Sequence, residues 1–113
     1  MKSNYSDSRG TITDLIVTPD YSVTHITFKK GAVRGNHYHR KTIQIDFLLK
    51  GRLLRNYDGS ERFMEAGQSE ELKPNIPHAY MALRDSEMLS VCFGVRRGSD
   101  YEKDVIRLKK PLL

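Results

Sequence analysis

The sequence predicts an all-β domain, either a sandwich or a closed barrel. Three observations carry that expectation. Eight segments rich in β-branched and aromatic residues recur along the chain, each of strand length and bounded by Gly, Pro, Asp or Asn. Their spacing, roughly 8–12 residues, is the interval expected of sandwiches and barrels. No window of eleven or more residues shows the 3.6-residue apolar period that an amphipathic helix needs.

The elements follow in chain order. Met1–Arg9 is polar and Ser-rich and reads as a loose N-terminal arm, leaving residues 10–113 as a single domain. Thr11–Thr18 and Tyr21–Phe28 are strand-like and flank the breaker Pro19-Asp20; Lys30-Gly31 then opens the turn-rich stretch Gly31–Asn36. Gln44–Lys50 and Arg52–Tyr57 meet at Gly51. Asp58-Gly59 joins the latter to Glu61–Glu65 as a hairpin, because both turn positions tolerate positive φ. After Ala66-Gly67 come His78–Leu83, Met88–Phe93 and, beyond Arg97-Gly98, Asp104–Leu108. Small antiparallel domains hide their edges by closing, and a jelly roll is one closure for about eight strands. Tyr21, Phe28, Phe47, Leu49 and Phe63 read as packing residues, Cys92 as inert core, and His25 as structural or exposed.

Charge and cysteine usage narrow the partners. Nineteen Lys+Arg against fourteen Asp+Glu give a net charge of +5, which suits small anions as readily as nucleic acid. The basic pairs Lys29-Lys30, Arg96-Arg97 and Lys109-Lys110 form no stripe with interleaved aromatics, so solvated faces are expected and no nucleic-acid partner. The longest stretch free of charge and His, Met88–Val95, has eight residues, against ~20 for a membrane span. The first twenty residues show no signal-peptide pattern. A single cysteine excludes an internal disulfide and fits a reducing cytoplasm, so a cytoplasmic protein without a membrane partner is expected.

The histidines carry the chemistry. His37 and His39 are two residues apart, so on a strand both imidazoles project from one face. His78 follows the proline-bracketed turn Lys73-Pro74-Asn75-Ile76-Pro77. Gln44 opens the strand after the His pair. A strand-built metal site wants neighbouring imidazoles with further N or O donors from adjacent strands, and His37, His39, Gln44 and His78 supply that set. An unmetallated pocket in which His37 or His39 is the general base competes with it.

This spacing resembles the cupin family. Gly31, His37, His39, Gln44 and Gly51 fall at the intervals of its first motif, and Gly67, Lys73, Asn75, His78 and Ala82 at those of its second. The resemblance runs from Gly31 to Ala82 and implies a double-stranded β-helix, the antiparallel jelly-roll barrel. It also implies a divalent transition metal, with zinc, iron, manganese and nickel the candidates. Four positions depart: Gln44 stands for the usual Glu, Lys73 for Pro, Asn75 for Gly and Ala82 for Asn. Asn75 is a mild change, since Asn tolerates the left-handed conformation. Gln44 leaves a +2 ion uncompensated by its ligands, which lowers affinity and strengthens the ion as a Lewis acid.

Strand alternation puts Asp46 and Leu48 on the face of Gln44, and Tyr80 on that of His78. A buried Asp46 needs a donor, a cation or a shifted pKa, making it a candidate acid/base group or a support for a ligand. Tyr80 is a candidate acid, Arg34 a fork for phosphate or carboxylate, and Asn36 a second substrate contact. The run Arg34-Gly35-Asn36-His37-Tyr38-His39 resembles cupins of nucleotide-sugar and surface-polysaccharide biosynthesis. That implies an isomerase or epimerase acting on a phosphorylated or nucleotide-linked keto-sugar, with His37, His39, Asp46 and Tyr80 as catalytic candidates. The alternatives are a metal-dependent dioxygenase or lyase and a non-catalytic sugar-binding or regulatory cupin. The partners expected are a small anionic sugar and, from exposed sheet edges, a second copy in a homodimer. The tail 98–108 is expected to wrap the barrel or a partner subunit.

Overall fold

The structure is a computed structural model, and it describes residues 5–94 and 103–113. Its strands are β1 (Tyr5–Asp7), β2 (Gly10–Val17), β3 (Ser22–Phe28), β4 (Val33–His39), β5 (Ile43–Lys50), β6 (Arg52–Tyr57), β7 (Ser60–Glu65), β8 (Ser69–Leu72), β9 (His78–Ala82), β10 (Ser86–Phe93) and β11 (Val105–Arg107). They pair antiparallel in two sheets, β1-β2-β3-β10-β5-β8 and β11-β4-β9-β6-β7. The two sheets face each other as a jelly roll, with Phe28, Leu48, Leu53, Met64, Leu72 and Met88 buried between them. Among the described residues no helix is long and apolar enough to cross a membrane.

Most expected strands fall within a residue or two of their places, and the Asp58-Gly59 hairpin joins β6 to β7 with both residues at positive φ. Three strands differ from expectation. Tyr5–Asp7, inside the stretch read as a loose arm, pairs with Thr11 and its neighbours as β1. Ser69–Leu72 carries too many charges to read as a strand, yet it adds to β5 as β8. The stretch read as turn-rich, Gly31–Asn36, supplies the first half of β4. At the other end β11 pairs with β4, so the part of the tail that is described wraps its own barrel; residues 98–102, like the pair Arg96-Arg97, lie outside the described residues.

The two outer faces are treated differently. Leu108 N–H donates to Asn36 C=O, Leu112 N–H to Asn36 Oδ1, and Asn56 Nδ2 to Leu112 C=O, so the C-terminal segment lies over the five-stranded sheet. No such cover lies on the six-stranded sheet among the described residues. There Ile16, Val23, Val91 and Ile45 stand in register across four strands, with Leu89 and Phe47 alongside. The expectation that Tyr21, Phe28, Phe47, Leu49 and Phe63 are packing residues is corrected for all but Phe28, which is core: the other four are exposed, Phe63 on the five-stranded sheet. Alternation is the reason for Phe47 and Leu49, because β5 turns Gln44, Asp46 and Leu48 inward.

Candidate metal centre and ligand cavity

β4 departs from plain alternation, and that departure builds the site. Arg34 pairs with Tyr80 and Gly35 with Ala79, but the next partner of β9, His78, stands opposite His37, so Asn36 is an extra residue. Gly35 has φ 96° and Asn36 φ 57°, left-handed values that Gly and Asn accept most readily. A bulge of this kind switches the side that follows it. Arg34, His37 and His39 all line the cavity, whereas an unbroken strand would set Arg34 opposite the His pair.

The turn before β9 brings in the third imidazole. Asn75, at φ 66°, donates its N–H to His39 C=O, which ties the turn to the end of β4 and delivers His78 beside His37. Ring centroids are 5.0 Å apart for His37–His39, 4.8 Å for His37–His78 and 5.8 Å for His39–His78. One nitrogen from each ring lies within 4.8 Å of the others. Burial, reinforced by the neighbouring imidazoles, drives the pKa of His37 down to about 3, and burial likewise drives that of His78 down to about 4. Both are neutral lone-pair donors at neutral pH.

Each supporting contact turns an Nδ1 outward. His39 Nδ1 meets Asp104 Oδ2 at 3.2 Å, and His78 Nδ1 faces Ile76 C=O at 3.4 Å. Donation from Nδ1 leaves Nε2 as the coordinating nitrogen, as in carboxylate–histidine–metal arrangements. Burial raises the Asp104 pKa, but bonds from Thr42 Oγ1, Lys41 N–H and His39 prevail and hold it below its ordinary value. Gln44 lines the same cavity, and its Nε2 donates to both oxygens of Asp46 at 2.9 Å. Tyr80 Oη donates to Asp46 Oδ2 at 2.6 Å. Asp46 is fully buried, which pushes its pKa up against the pull of those bonds, and Tyr80 is pushed well above the ordinary phenol by burial and by Asp46. Three imidazoles and an amide oxygen form a donor set that fits zinc, iron, manganese or nickel.

The cavity holds about 320 Å³. Opposite the histidines its wall is apolar, from Ile12, Ile26, Phe28 and Met88, with the guanidinium of Arg34 set into it. Arg34 is 8% exposed, donates from Nη2 to Thr27 C=O and lies 5.4 Å over the Phe28 ring. Its Nε has no hydrogen-bond partner, and no carboxylate lies within ion-pair distance among the described residues. Burial, then Arg9, lowers its pKa. Arg9, also on the wall, is by contrast paired with Asp7 at 2.8 Å.

The cupin-domain family profile matches residues 24–93. This chain is a cupin. Similar solved structures include KdgF from Halomonas sp., at 20% identity and TM-score 0.76, over 85% of this chain and 88% of that one. The capsular polysaccharide assembling protein CapF from Staphylococcus aureus matches at 20% identity and TM-score 0.81, over 96% of this cupin but only 34% of its own length. The cupin domain of an XRE-family transcriptional regulator from Enterobacter cloacae matches at 22% and TM-score 0.66, over 75% and 96%. At these identities the likeness shows the fold alone. A search of curated proteins returned no match.

Within the cupin, His37, His39, Gln44, His78, Arg34 and Tyr80 line one cavity. Asp46 stands behind that wall, with its oxygens taken by Gln44 and Tyr80. Asn36 is not brought to the cavity: the bulge turns its amide onto Leu112 and Leu113, so its reading as a substrate contact is corrected. Cys92, read as inert core, faces the cavity from β10. Asp104, Thr42, Arg9 and Arg107 escaped the sequence reading, since nothing in their local motifs announces a contact made across the barrel. His25 sits on the outer face, paired with Glu87 at 3.0 Å.

Proposed function

We propose that this cupin is an isomerase or epimerase of a small anionic keto-sugar, working with a divalent transition metal held by His37, His39, His78 and Gln44. One observation carries the reading. Three imidazoles and an ion-unpaired, buried guanidinium share a single cavity, so a ligand's carbonyl end and its anionic end have separate places. When bound, the metal supplies a Lewis acid for the carbonyl. Arg34 binds the phosphate or carboxylate and fixes which carbon faces the histidines. The wall formed by Ile12, Ile26, Phe28 and Met88 excludes water around that carbon. Tyr80 Oη donates to Asp46 at the cavity wall, so a proton leaving the carbon beside the carbonyl can pass to Oη as the phenolic proton passes to Asp46, whose pKa burial raises. The reverse path returns a proton to the neighbouring carbon. The depressed pKa values of His37 and His78 favour ligands over general bases, which work best near neutrality.

The size of the cavity sharpens the substrate. It lies at the small end of the ~300–1,000 Å³ of ordinary ligand sites, so a single sugar ring fills it and a nucleotide extends beyond it. The test pairs thermal-shift screening of sugar phosphates, sugar acids and nucleotide sugars with NMR in deuterated water. A ligand should raise the melting temperature, Arg34→Ala should abolish that rise, and deuterium should enter at the carbon beside the ketone. Binding without exchange would leave a sugar-binding cupin instead of an isomerase.

A further inference from the structure

We infer that Asp46 is the positioning residue that decides which atom of Gln44 faces the imidazoles. An amide side chain is nearly symmetric in shape, and only its oxygen has a lone pair for a cation. Both carboxylate oxygens of Asp46 lie 2.9 Å from Gln44 Nε2, so the amide nitrogen is held on the carboxylate. Gln44 also lines the cavity, so the atom left for His37, His39 and His78 is Oε1. Asp46 is itself pinned: it has no exposure, and Tyr80 Oη donates to it at 2.6 Å from the facing sheet. The negative charge that a carboxylate ligand would bring is thereby set one residue further back, behind a neutral oxygen donor. Without an acceptor at position 46 the terminal torsion of Gln44 is broad and two-fold, and the NH₂ can face the imidazoles as readily as the oxygen.

This inference rests on the metal reading above, and its test separates the two. The probe is Co(II), with affinity measured against a chromophoric chelator and the visible d–d bands recorded. Asp46→Leu combined with Tyr80→Phe removes the acceptor without stranding the Tyr80 hydroxyl, and a melting curve confirms the fold. Co(II) affinity should fall about tenfold or more, and the d–d bands should shift as the oxygen donor is lost. Adding Gln44→Glu, whose ligand oxygens need no orientation, should recover most of the affinity. Unchanged affinity and bands in the double variant, no recovery with Gln44→Glu, or full affinity in Gln44→Leu overturns the role of Asp46. Wild-type protein that takes up no Co(II) overturns the metal reading itself.

Discussion

β4 and β5 face the same cavity and furnish it by opposite devices. β5 is regular from Gln44 to Leu48: every second residue there points inward, and the ligand-bearing face follows from the period of two, its own irregularity at Leu49 lying beyond the site. β4 is interrupted, and the extra residue Asn36 lets Arg34 share a side with His37 and His39. A regular strand can offer donors only at fixed intervals; a bulged one can set an anion-binding group and two imidazoles on one wall. Both strands then lean on a buried carboxylate: Asp46 behind Gln44, two residues along the same strand, and Asp104 behind His39, from the residue just before β11. The regular strand carries its own support, whereas the bulged one borrows support from the end of the chain.

The largest effect should come from removing the bulge's freedom. A Cβ on Gly35 would lie 2.9 Å from His78 C=O and 3.1 Å from Ala79 Cα, at a φ that alanine resists. Gly35→Ala must therefore push β4 from β9, which separates His37 from His78. The cost is roughly 2–5 kcal/mol of stability, with metal binding lost in whatever protein remains folded. Urea unfolding and a Co(II) titration read both. A Gly35→Ala protein with wild-type affinity would show that the bulge does not set the spacing.

Acid should act through the same imidazoles. In the unfolded chain His37 and His78 protonate as the pH falls through about 6.5, but in the folded metal-free protein only near about 3 and 4. Their contribution is complete above the unfolded value and is lost as the pH drops below it. The slope is up to about 1.4 kcal/mol per pH unit for each imidazole. Urea midpoints between about pH 7.5 and 5 should fall in wild type and much less in His37→Gln/His78→Gln; equal slopes would refute the assignment. Asp104→Asn should act more gently, loosening His39 and lowering metal affinity by about 10- to 100-fold with Gln44 untouched. If the loss matches that of Gln44→Leu plus Asp104→Asn combined, the two supports are not independent.

The same contrast explains what the sequence discloses. Period two makes the inward set of β5 legible, and Gly31, Gly51 and Gly67 mark turns by positive φ, so the barrel and the His trio follow from spacing. The bulge hides in Gly35-Asn36, which on its own reads as a turn. β8 hides because strand addition at a sheet edge needs backbone partners more than apolar side chains, and Glu70 instead bonds Arg62 and pairs with Arg55. Phe47 and Leu49 mislead because an apolar residue on a strand does not say which sheet face is covered. Asp104 is 65 positions from His39, and contacts at that separation leave no local trace.

The smallest effect expected is at Asn36, and it separates the bulge's backbone from its side chain. Asn36→Gly keeps the left-handed φ but deletes the amide that accepts from Leu112 and Leu113 and donates to Leu113 C=O. Net hydrogen bonds of about 0.5–1.5 kcal/mol, partly offset by water, predict a loss of about 1 kcal/mol. The loss should appear as earlier exchange of the amides of Leu112 and Leu113, which bond the Asn36 side chain, and not of Leu108, which bonds its backbone C=O. Co(II) affinity and ligand-induced thermal shift should stay at wild-type values, because the ring positions depend on the extra residue and not on its amide. A variant that melts normally yet loses the ligand shift would return Asn36 to the cavity and make the bulge a binding element in its own right.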